Sequence, residues 1–419
     1  MNVAQGKLAI VVGGGPAPGI NSVIGAATIR ACLSDVEVLG IQEGFRWLME
    51  GDTSHVVPLT IADTGRIHFR GGSCIGIARA NPTRNPQHMR NVLESLQRLD
   101  VGMLVTIGGD DTAFTAYKLA QASAGALRVV HVPKTIDNDL DLPHDVWTFG
   151  YQTARAVGVD IVANLMVDAK TTGRWYFVVA MGRKAGHLAL GIGKAAGATL
   201  TLIPEEFGDR APLETIVDTL AGAILKRLAA GRTDGVAVLA EGLAEVVPPE
   251  DLAALSTAER DEHGHVRLDE ISFGDIVKTA VRERLKELGV KATIVAKNIG
   301  YELRCADPIP FDMEYTRDLG YSAAKFIIDG GTNALVSMQQ GRFKPVPFEQ
   351  IMNPETGRMR VRMVDVGSDR YRIAHAYMLR LAPGDFDDPC QLAELAAAAG
   401  TTPERIRAEL GYLVGATAS

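Results

Sequence analysis

Glycines, four aspartates and a lysine follow two successive apolar runs of this chain. The segment 108–112 (GGDDT) comes after the run 103–107, and the segment 133–139 (PKTIDND) comes after the run 128–132. Both runs look like buried parallel strands, and in open α/β sheets ligands bind at the carboxyl ends of the strands. Glycine turns let backbone N–H groups approach phosphate, carboxylates hold Mg²⁺ or take a proton, and a lysine binds anionic oxygen. The two segments together predict a phosphoryl-transfer site.

Each of these segments also has a simpler interpretation when it is taken alone. The segment 108–112 fits a hairpin-like turn, and Asp137 and Asp139 fit helix caps or solvated loop acids. Because both acid clusters follow successive strands, the combination favours a functional site over coincidence.

A third glycine-rich segment, 13–21 (GGGPAPGIN), joins a predicted strand to a predicted helix. Its N–H groups therefore lie at a helix N-terminus, which attracts anions. The segment is not a dinucleotide fingerprint, because the third glycine of that motif would fall on Pro18. It is not a P-loop either, because the Gly-Lys-Ser/Thr ending is missing. A tight turn without a ligand remains the alternative for this segment alone.

Short apolar strands alternate with amphipathic helices, which is the pattern of parallel sheets covered on both faces. Predicted strands also lie near 7–12, 36–41, 175–180, 199–203 and 236–239, and predicted helices near 19–33, 87–99, 149–167 and 212–232. We predict an α/β protein of two Rossmann-like α/β/α lobes with mainly parallel sheets and an active-site cleft between them. The first predicted lobe is 1–148 plus about 303–350, and the second is 149–302 plus about 351–419. The charged segment 246–269 is predicted to be a surface insertion.

Composition excludes several classes of protein. A length of 419 residues predicts about two domains, and the formal net charge of −7 argues against general nucleic-acid binding, which needs a basic face. No apolar run approaches the roughly 18 residues of a membrane span. The four cysteines (Cys32, Cys74, Cys305 and Cys390) are irregularly spaced without a CxxC pair, so we expect no disulfide framework or zinc site and a reducing, cytoplasmic location.

Six segments occur in the order in which phosphofructokinases have them. They are 14–21 (GGPAPGIN), 71–79 (GGS to AR), 108–112, 133–139, 181–183 (MGR) and 300–304 (GYELR). The chain resembles that family over about residues 5 to 350, and its C-terminal seventy residues match less clearly. The resemblance implies phosphoryl transfer to fructose 6-phosphate with Mg²⁺ as cofactor. It also implies that the first lobe binds the phosphoryl donor and the second the sugar phosphate.

The resemblance also implies a role for each matching residue. Asp137 would take the proton from the C1 hydroxyl of the sugar, and Asp110 would hold Mg²⁺. Catalytic roles are implied for Lys134 and Arg183, donor contacts for Gly15, Arg79, Asp111 and Thr112, and sugar-phosphate contacts for Thr135, Asp139, Met181, Gly182, Glu241, Tyr301 and Arg304. Arg174 would reach the 6-phosphate across a subunit interface, which implies a homodimer or homotetramer. For Arg183 and Arg304 a surface ion pair is the alternative.

Asp111 and Lys134 indicate the phosphoryl donor. ATP-using members of the family typically have glycine at both positions, and the aspartate–lysine pair resembles the pyrophosphate-dependent branch. A carboxylate at position 111 would repel the α-phosphate of ATP by about 4 kcal/mol at 4 Å and an effective dielectric near 20. Phe45, where the ATP branch often stacks an adenine on tyrosine, discriminates weakly.

We therefore expect reversible phosphoryl transfer from pyrophosphate to fructose 6-phosphate. One alternative is an ATP-dependent phosphofructokinase, and another is a catalytically silent regulatory subunit that binds sugar phosphate. Intact Asp110, Asp137, Asp139 and Arg183 count against the silent subunit.

Overall fold

The computed structural model describes residues 6–143, 146–255, 272–353 and 359–415. The chain divides into two compact units. Unit 1 is Met1–Arg155 with Tyr301–Arg362, and unit 2 is Ala156–Gly300 with Met363–Ser419. Each unit is built on its own sheet, and the predicted α/β class with mainly parallel sheets is confirmed. The assignment of one lobe to the donor and the other to the sugar stays a prediction.

Strands and helices alternate along most of the chain. The strands are β1 (Lys7–Val12), β2 (Val38–Ile41), β3 (Val56–Leu59), β4 (Val101–Gly108), β5 (Arg128–Thr135), β6 (Phe149–Gly150), β7 (Trp175–Ala180), β8 (Leu200–Leu202), β9 (Gly235–Ala240), β10 (Ile294–Ile299), β11 (Ala334–Gln339) and β12 (Arg342–Pro347). The helices are α1 (Ile20–Cys32), α2 (Arg46–Met49), α3 (Ile61–Thr64), α4 (Pro86–Arg98), α5 (Asp110–Ala122), α6 (Tyr151–Thr172), α7 (His187–Ala196), α8 (Leu213–Ala229), α9 (Leu243–Val246), α10 (Pro249–Leu255), α11 (Phe273–Glu287), α12 (Tyr301–Arg304), α13 (Pro310–Ile328), α14 (Phe348–Ile351), α15 (Asp369–Ala376), α16 (Pro383–Asp387), α17 (Pro389–Ala399), α18 (Pro403–Leu410) and α19 (Tyr412–Gly415). Short 3₁₀ turns cover Pro82–Arg84 and Pro204–Glu206.

The sheet of unit 1 has the strand order β12-β11-β5-β4-β1-β2-β3, with β6 paired to β5. Its inner strands are parallel and almost wholly buried, which explains their continuous apolar sequences. The edge strands β3 and β12 are antiparallel. Gly108 pairs with Pro133 across β4 and β5. The loops that follow these two strands therefore leave the sheet at the same edge, where the sequence predicted the site.

Helix α1 and the first residues of α6, which belong to unit 1, depend on contacts distant in sequence. Helix α1 packs closely on α13, and a β-carbon at Gly320 would overlap the carbonyl of Val23. The N-terminus of α6 is capped by Asp312, whose carboxylate accepts hydrogen bonds from the amides of Gly150 (3.0 Å) and Thr153 (2.8 Å). Burial raises the pKa of Asp312, while these hydrogen bonds oppose the rise.

The sheet of unit 2 has the order β10-β7-β9-β8 and is parallel throughout. The C-terminal helices α16, α17 and α18 belong to this unit and complete its core with Phe386, Leu392, Leu395, Ile406 and Leu410. Ion pairs hold them in place, such as Arg284 with the buried Asp218 (2.6 Å) and with Glu409 (2.9 Å).

The predicted surface insertion at 246–269 is wrong for its first part. Val247, which follows α9, and Leu252, in α10, are both buried in the hydrophobic core of unit 2. Residues 256–271 lie outside the described residues. None of the helices in the described ranges is long and apolar enough to cross a membrane.

Candidate active site

Three parts of unit 1 meet: the glycine-rich turn after β1 (residues 13–19, called the glycine turn below), the N-terminus of α5 and the end of β5. The Lys134 ammonium, on a side chain that is only 5% exposed, donates a hydrogen bond to the carbonyl of Gly15. Asp110 and Asp111 form the first turn of α5, where Asp111 is exposed and Asp110 half-buried. The structure therefore brings together a buried cation, two carboxylates and the first-turn amides of a 13-residue helix.

Thr112 lies beneath this arrangement. Its side chain is buried against two glycines, and a β-carbon at Gly13 would lie 2.5 Å from Thr112 Oγ1, while one at Gly108 would overlap the same side chain. These glycines thus serve close packing of two turns. The hydroxyl of Thr112 is packed against these glycines. Any contact of Thr112 with the phosphoryl donor would therefore be made by its backbone N–H.

From Thr135, the last residue of β5, to Leu140, half-buried and fully buried side chains alternate. Thr135, Asp137 and Asp139 are half-buried, while the intervening Ile136, Asn138 and Leu140 are buried. The Asp137 amide donates to Thr135 Oγ1 (3.0 Å). Three of the predicted site residues are therefore arranged along one face of the loop.

Asn138 determines the shape of this loop. It adopts the left-handed conformation (φ 56°), which asparagine tolerates better than most residues. Its side-chain oxygen accepts the amide N–H of Thr148 (3.2 Å). Asn138, to which the sequence motifs assign no role, therefore fixes the direction of the chain between the two aspartates.

His131 links β4 and β5 directly behind the loops. Its Nδ1 lies 2.8 Å from Thr106 Oγ1 and its Nε2 lies 3.0 Å from the carbonyl of Gly108. Burial, together with the nearby Lys134 and opposed by the hydrogen bond to Gly108, lowers the pKa of His131 to about 3. The ring is therefore neutral, with its Nε2 proton donated to Gly108 and its Nδ1 accepting from Thr106.

Two arginines border the glycine turn. The exposed Arg79 follows Ala78, whose carbonyl accepts the amide N–H of Gly14 (3.2 Å). The guanidinium carbon of Arg304 would lie 3.5 Å from a β-carbon at Gly15 and is 5.7 Å from the ring centre of Tyr301. The structure thus places Arg304, which was predicted to contact the sugar phosphate, beside Gly15, which was predicted to contact the phosphoryl donor.

Asn21, at the end of the first motif, anchors a further loop. Its amide donates to the carbonyls of Arg70 (3.2 Å) and Gly71 (3.1 Å) and its oxygen accepts the Cys74 amide (2.8 Å).

Phe45 is 2% exposed and belongs to the core of unit 1. Its ring is therefore not a surface on which an adenine could stack.

In unit 2, Met181, Gly182 and Glu241 lie together at the carboxyl ends of β7 and β9. The amide of Gly182 donates to the Glu241 carboxylate (2.9 Å), and the amide of Glu241 donates to the carbonyl of Ala180 (3.0 Å). Arg183, the next residue, is exposed. Its backbone carbonyl oxygen would lie 2.7 Å from a β-carbon at Gly242. A β-carbon at Gly300 would lie 2.6 Å from the terminal methyl of Met181.

Arg174 is not brought to these residues within the same chain. It precedes β7, whereas Met181 follows it, so the six residues of the strand separate them by roughly 20 Å at about 3.3 Å per residue. Its guanidinium lies 3.9 Å from Asp168.

Sequence reasoning missed two residues that hold the loops in place. Glu205 accepts amide hydrogen bonds from Gly186 (2.9 Å) and Val364 (2.9 Å), which fixes the end of the loop 181–186. Arg362 binds the loop of Asn138 through its guanidinium and backbone. No local pattern marks either residue, because their partners lie up to 224 positions away.

The site offers a carboxylate for a divalent cation without a complete protein cage. Among the described residues no group of three or more His, Cys, Asp or Glu side chains gathers as a metal cage. Mg²⁺ usually takes one or two carboxylates and completes its shell with water and substrate phosphates. Asp110, in the first turn of α5, fits that pattern.

A buried ammonium, arginines, helix amides and half-buried carboxylates at the ends of parallel strands define a phosphoryl-transfer class of protein. Comparison with known proteins gives the family. The phosphofructokinase family model matches residues 7–327, and the chain belongs to that family.

Three individual comparisons agree with this membership. A pyrophosphate–fructose 6-phosphate 1-phosphotransferase from Thermotoga maritima is 52% identical over 388 residues, which cover 91% of this chain and 93% of the relative. One from Naegleria fowleri is 48% identical over 417 residues, which cover 97% and 95%. A solved pyrophosphate-dependent phosphofructokinase from Nitrosospira multiformis shares the fold, with a TM-score of 0.68, 17% identity and coverage of 89% of this chain and 91% of that one.

Proposed function

We propose that this protein transfers a phosphoryl group reversibly from pyrophosphate to the C1 hydroxyl of fructose 6-phosphate, giving fructose 1,6-bisphosphate and phosphate. The observation that carries the proposal is the near full-length match to two relatives that are both named for this reaction. The glycolytic direction and its reverse are both expected, because the phosphoryl bonds broken and formed have similar energies.

Three features of unit 1 support pyrophosphate over ATP. Asp111 is exposed in the first turn of α5, where its carboxylate would repel a third phosphate group. Lys134 places a buried ammonium at the glycine turn, which suits a short and highly charged donor. Phe45 is buried, so the adenine of ATP would find no aromatic face there.

The proposed mechanism assigns one task to each group. The Asp137 carboxylate takes the proton from the C1 hydroxyl as O1 attacks the terminal phosphorus, and the bond from that phosphorus to the bridging oxygen breaks. Phosphate leaves with the negative charge that Lys134, Arg183 and the α5 amides stabilise. Thr135, Asp139, Met181, Gly182, Glu241, Tyr301 and Arg304 are assigned to the sugar phosphate, and Gly15, Arg79, Asp111 and Thr112 to the donor.

Asp110 is the residue that we assign to Mg²⁺, which when bound supplies positive charge beside the donor phosphate oxygens.

Arg174 is assigned to the 6-phosphate in a neighbouring subunit, so the active species would be a homodimer or homotetramer. The four free cysteines fit a cytoplasmic location.

The test is the ratio of kcat/KM for ATP to that for pyrophosphate, measured with fructose 6-phosphate. The wild type should prefer pyrophosphate. Asp111→Gly should admit ATP weakly, because the repulsion is removed. Adding Lys134→Gly or the better-filling Lys134→Met should weaken pyrophosphate use by about 1.5–3 kcal/mol per lost charge-assisted bond, so the ratio rises again.

Asp369→Gly is the matched control, because Asp369 is an exposed first-turn aspartate of α15 in unit 2. It should leave the donor ratio unchanged. A wild type that prefers ATP would contradict the assigned donor. An unchanged ratio in both double variants would contradict the roles of Asp111 and Lys134 while leaving the donor assignment intact.

A further inference from the structure

Arg362 lies beyond the segment 7–327 that the family model matches, yet it contacts the loop of the proposed catalytic base. Its Nε donates to the carbonyl of Asn138 (3.1 Å), its Nη1 to the carbonyl of Val146 (2.9 Å) and its Nη2 to the side-chain oxygen of Asn138. We propose that Arg362 is a positioning residue that fixes the Asp137–Asp139 loop for phosphoryl transfer. The functional part of this inference rests on the proposed function.

The backbone brings Arg362 to this loop. Its amide donates to the carbonyl of Asp139 (2.8 Å), and Val361 forms an antiparallel bridge with Leu140. Arg360 continues the pairing, since its carbonyl accepts the amide of Asp141 (3.4 Å). A short stretch of the C-terminal part of the chain thus runs antiparallel alongside the catalytic loop through an isolated β-bridge.

Two of the three guanidinium contacts of Arg362 go to Asn138, which helps to determine the loop's shape. Asn138 is 2% exposed and has positive φ, and it stands between the two aspartates. Its oxygen is held by Arg362 on one side and by the Thr148 amide on the other. Because φ and ψ of Asn138 set the directions of the flanking residues, loss of the guanidinium would let both carboxylates turn.

The guanidinium is suited to this task by its shape and charge. Its planar fork can bind a backbone carbonyl and a side-chain oxygen of the same residue at once, whereas a lysine ammonium is a point charge on a flexible chain. Burial lowers the pKa of Arg362, and the carboxylates of Asp141 and Asp139 oppose that fall. A positive charge is therefore held next to the loop by its acidic neighbours.

The chain offers a matched control two residues away. Arg360 lies in the same short stretch, and its half-exposed side chain is 4.0 Å from Asp141. Arg360→Met and Arg362→Met remove the same charge from the same stretch, and only the second removes the bonds to Asn138 and Val146. Arg362→Lys retains the charge without the fork.

We expect Arg362→Met to lower kcat by about 10- to 100-fold with KM for both substrates changed less than about threefold, since misplacing a reacting group by about 1 Å can cost a hundredfold. Arg362→Lys should recover part of the loss, and Arg360→Met should stay within about twofold of wild type. Normal kcat in Arg362→Met, or an equal loss in Arg360→Met, would overturn the proposal.

Hydrogen–deuterium exchange of residues 136–148 tests the positioning without any assay of activity. Exchange there should be faster in Arg362→Met than in wild type and Arg360→Met, while the core strand β1 is unchanged. A fall in kcat with unchanged exchange would overturn the role through the loop. If the wild type lacks activity with pyrophosphate and fructose 6-phosphate, the proposed function fails, whereas the exchange experiment still decides whether Arg362 holds the loop.

Discussion

Asp137 has the surroundings that a general base requires. It is half-buried at the end of a loop whose shape is fixed by Thr135 and Asn138. A base must keep its position relative to the acceptor hydroxyl within tenths of an ångström, and rigid neighbours provide that. The proposed role is therefore carried by the whole loop as well as by the carboxylate.

Asp137→Asn should lower kcat by about 10²- to 10⁴-fold while KM for fructose 6-phosphate changes little, because the amide cannot accept the proton but has nearly the same shape. Steady-state kinetics with pyrophosphate as donor measure both quantities. Asp369→Asn, at the exposed first turn of α15 in unit 2, is the control and should retain wild-type kcat. Near-normal kcat in Asp137→Asn would remove this residue from the role of base.

At the scale of elements, β4 and β5 act as one support for the site. Their register brings Gly108 beside Pro133, and His131 adds side-chain bonds that tie the two strands together just before their loops begin. A buried histidine that stays neutral is well suited to such a link, because one nitrogen donates and the other accepts.

The same histidine makes stability depend on pH. Its pKa is about 3 in the folded protein and about 6.5 in the unfolded chain, so below pH 6.5 the unfolded chain binds more protons. Its contribution to stability is complete above pH 6.5 and is lost progressively as the pH falls towards 3. From pH 7.5 to 5.0 this loss amounts to about 2 kcal/mol.

Urea unfolding at the two pH values measures the effect. The fall in the free energy of unfolding between pH 7.5 and 5.0 should be smaller by about 2 kcal/mol in His131→Gln, whose amide can still donate to Gly108. His88→Gln, at a partly exposed position of α4, should keep the wild-type difference. The same pH dependence in wild type and His131→Gln would mean that His131 is not the group that titrates.

At the scale of the whole molecule, the proposed assembly rests on the position of Arg174. It lies at the end of β7 opposite to Met181, so one chain cannot bring both residues to the same sugar phosphate without dismantling its sheet. A second copy of the chain could supply the arginine instead.

Mixed subunits test this proposal. Arg174→Ala should raise KM for fructose 6-phosphate by about 10- to 100-fold, the loss of one or two charge-assisted bonds. Dissociating and reassociating it with inactive Asp137→Asn protein should recover activity, because some hybrid sites carry neither defect. Lys170→Ala, which removes an exposed charge at the end of α6, should have wild-type kinetics. Hybrids that form without recovery, or a fully active monomer, would contradict a shared site.

Much of the architecture was predictable from local sequence. Strands β1 and β7 match the predicted bounds, because a parallel strand covered on both faces needs a continuous apolar run and the next glycine ends it. The loops with the aspartates follow those strands at the expected edge for the same reason. Family membership could also be predicted, since its motifs are short and contiguous.

Other features were decided only when the chain packed. Thr112 and Phe45 have side chains that a sequence pattern would offer to a ligand, and the fold buries both. The first part of the expected insertion joins the core of unit 2, because its buried residues Val247 and Leu252 are separated by two prolines and two acidic residues and so form no clear period. Arg362 reaches Asn138 across 224 positions. Short-range periodicity records which face of an element is buried, whereas the partner of a hydrogen bond between distant segments is fixed by packing alone, and so only the tertiary structure could determine what holds the catalytic loop in place.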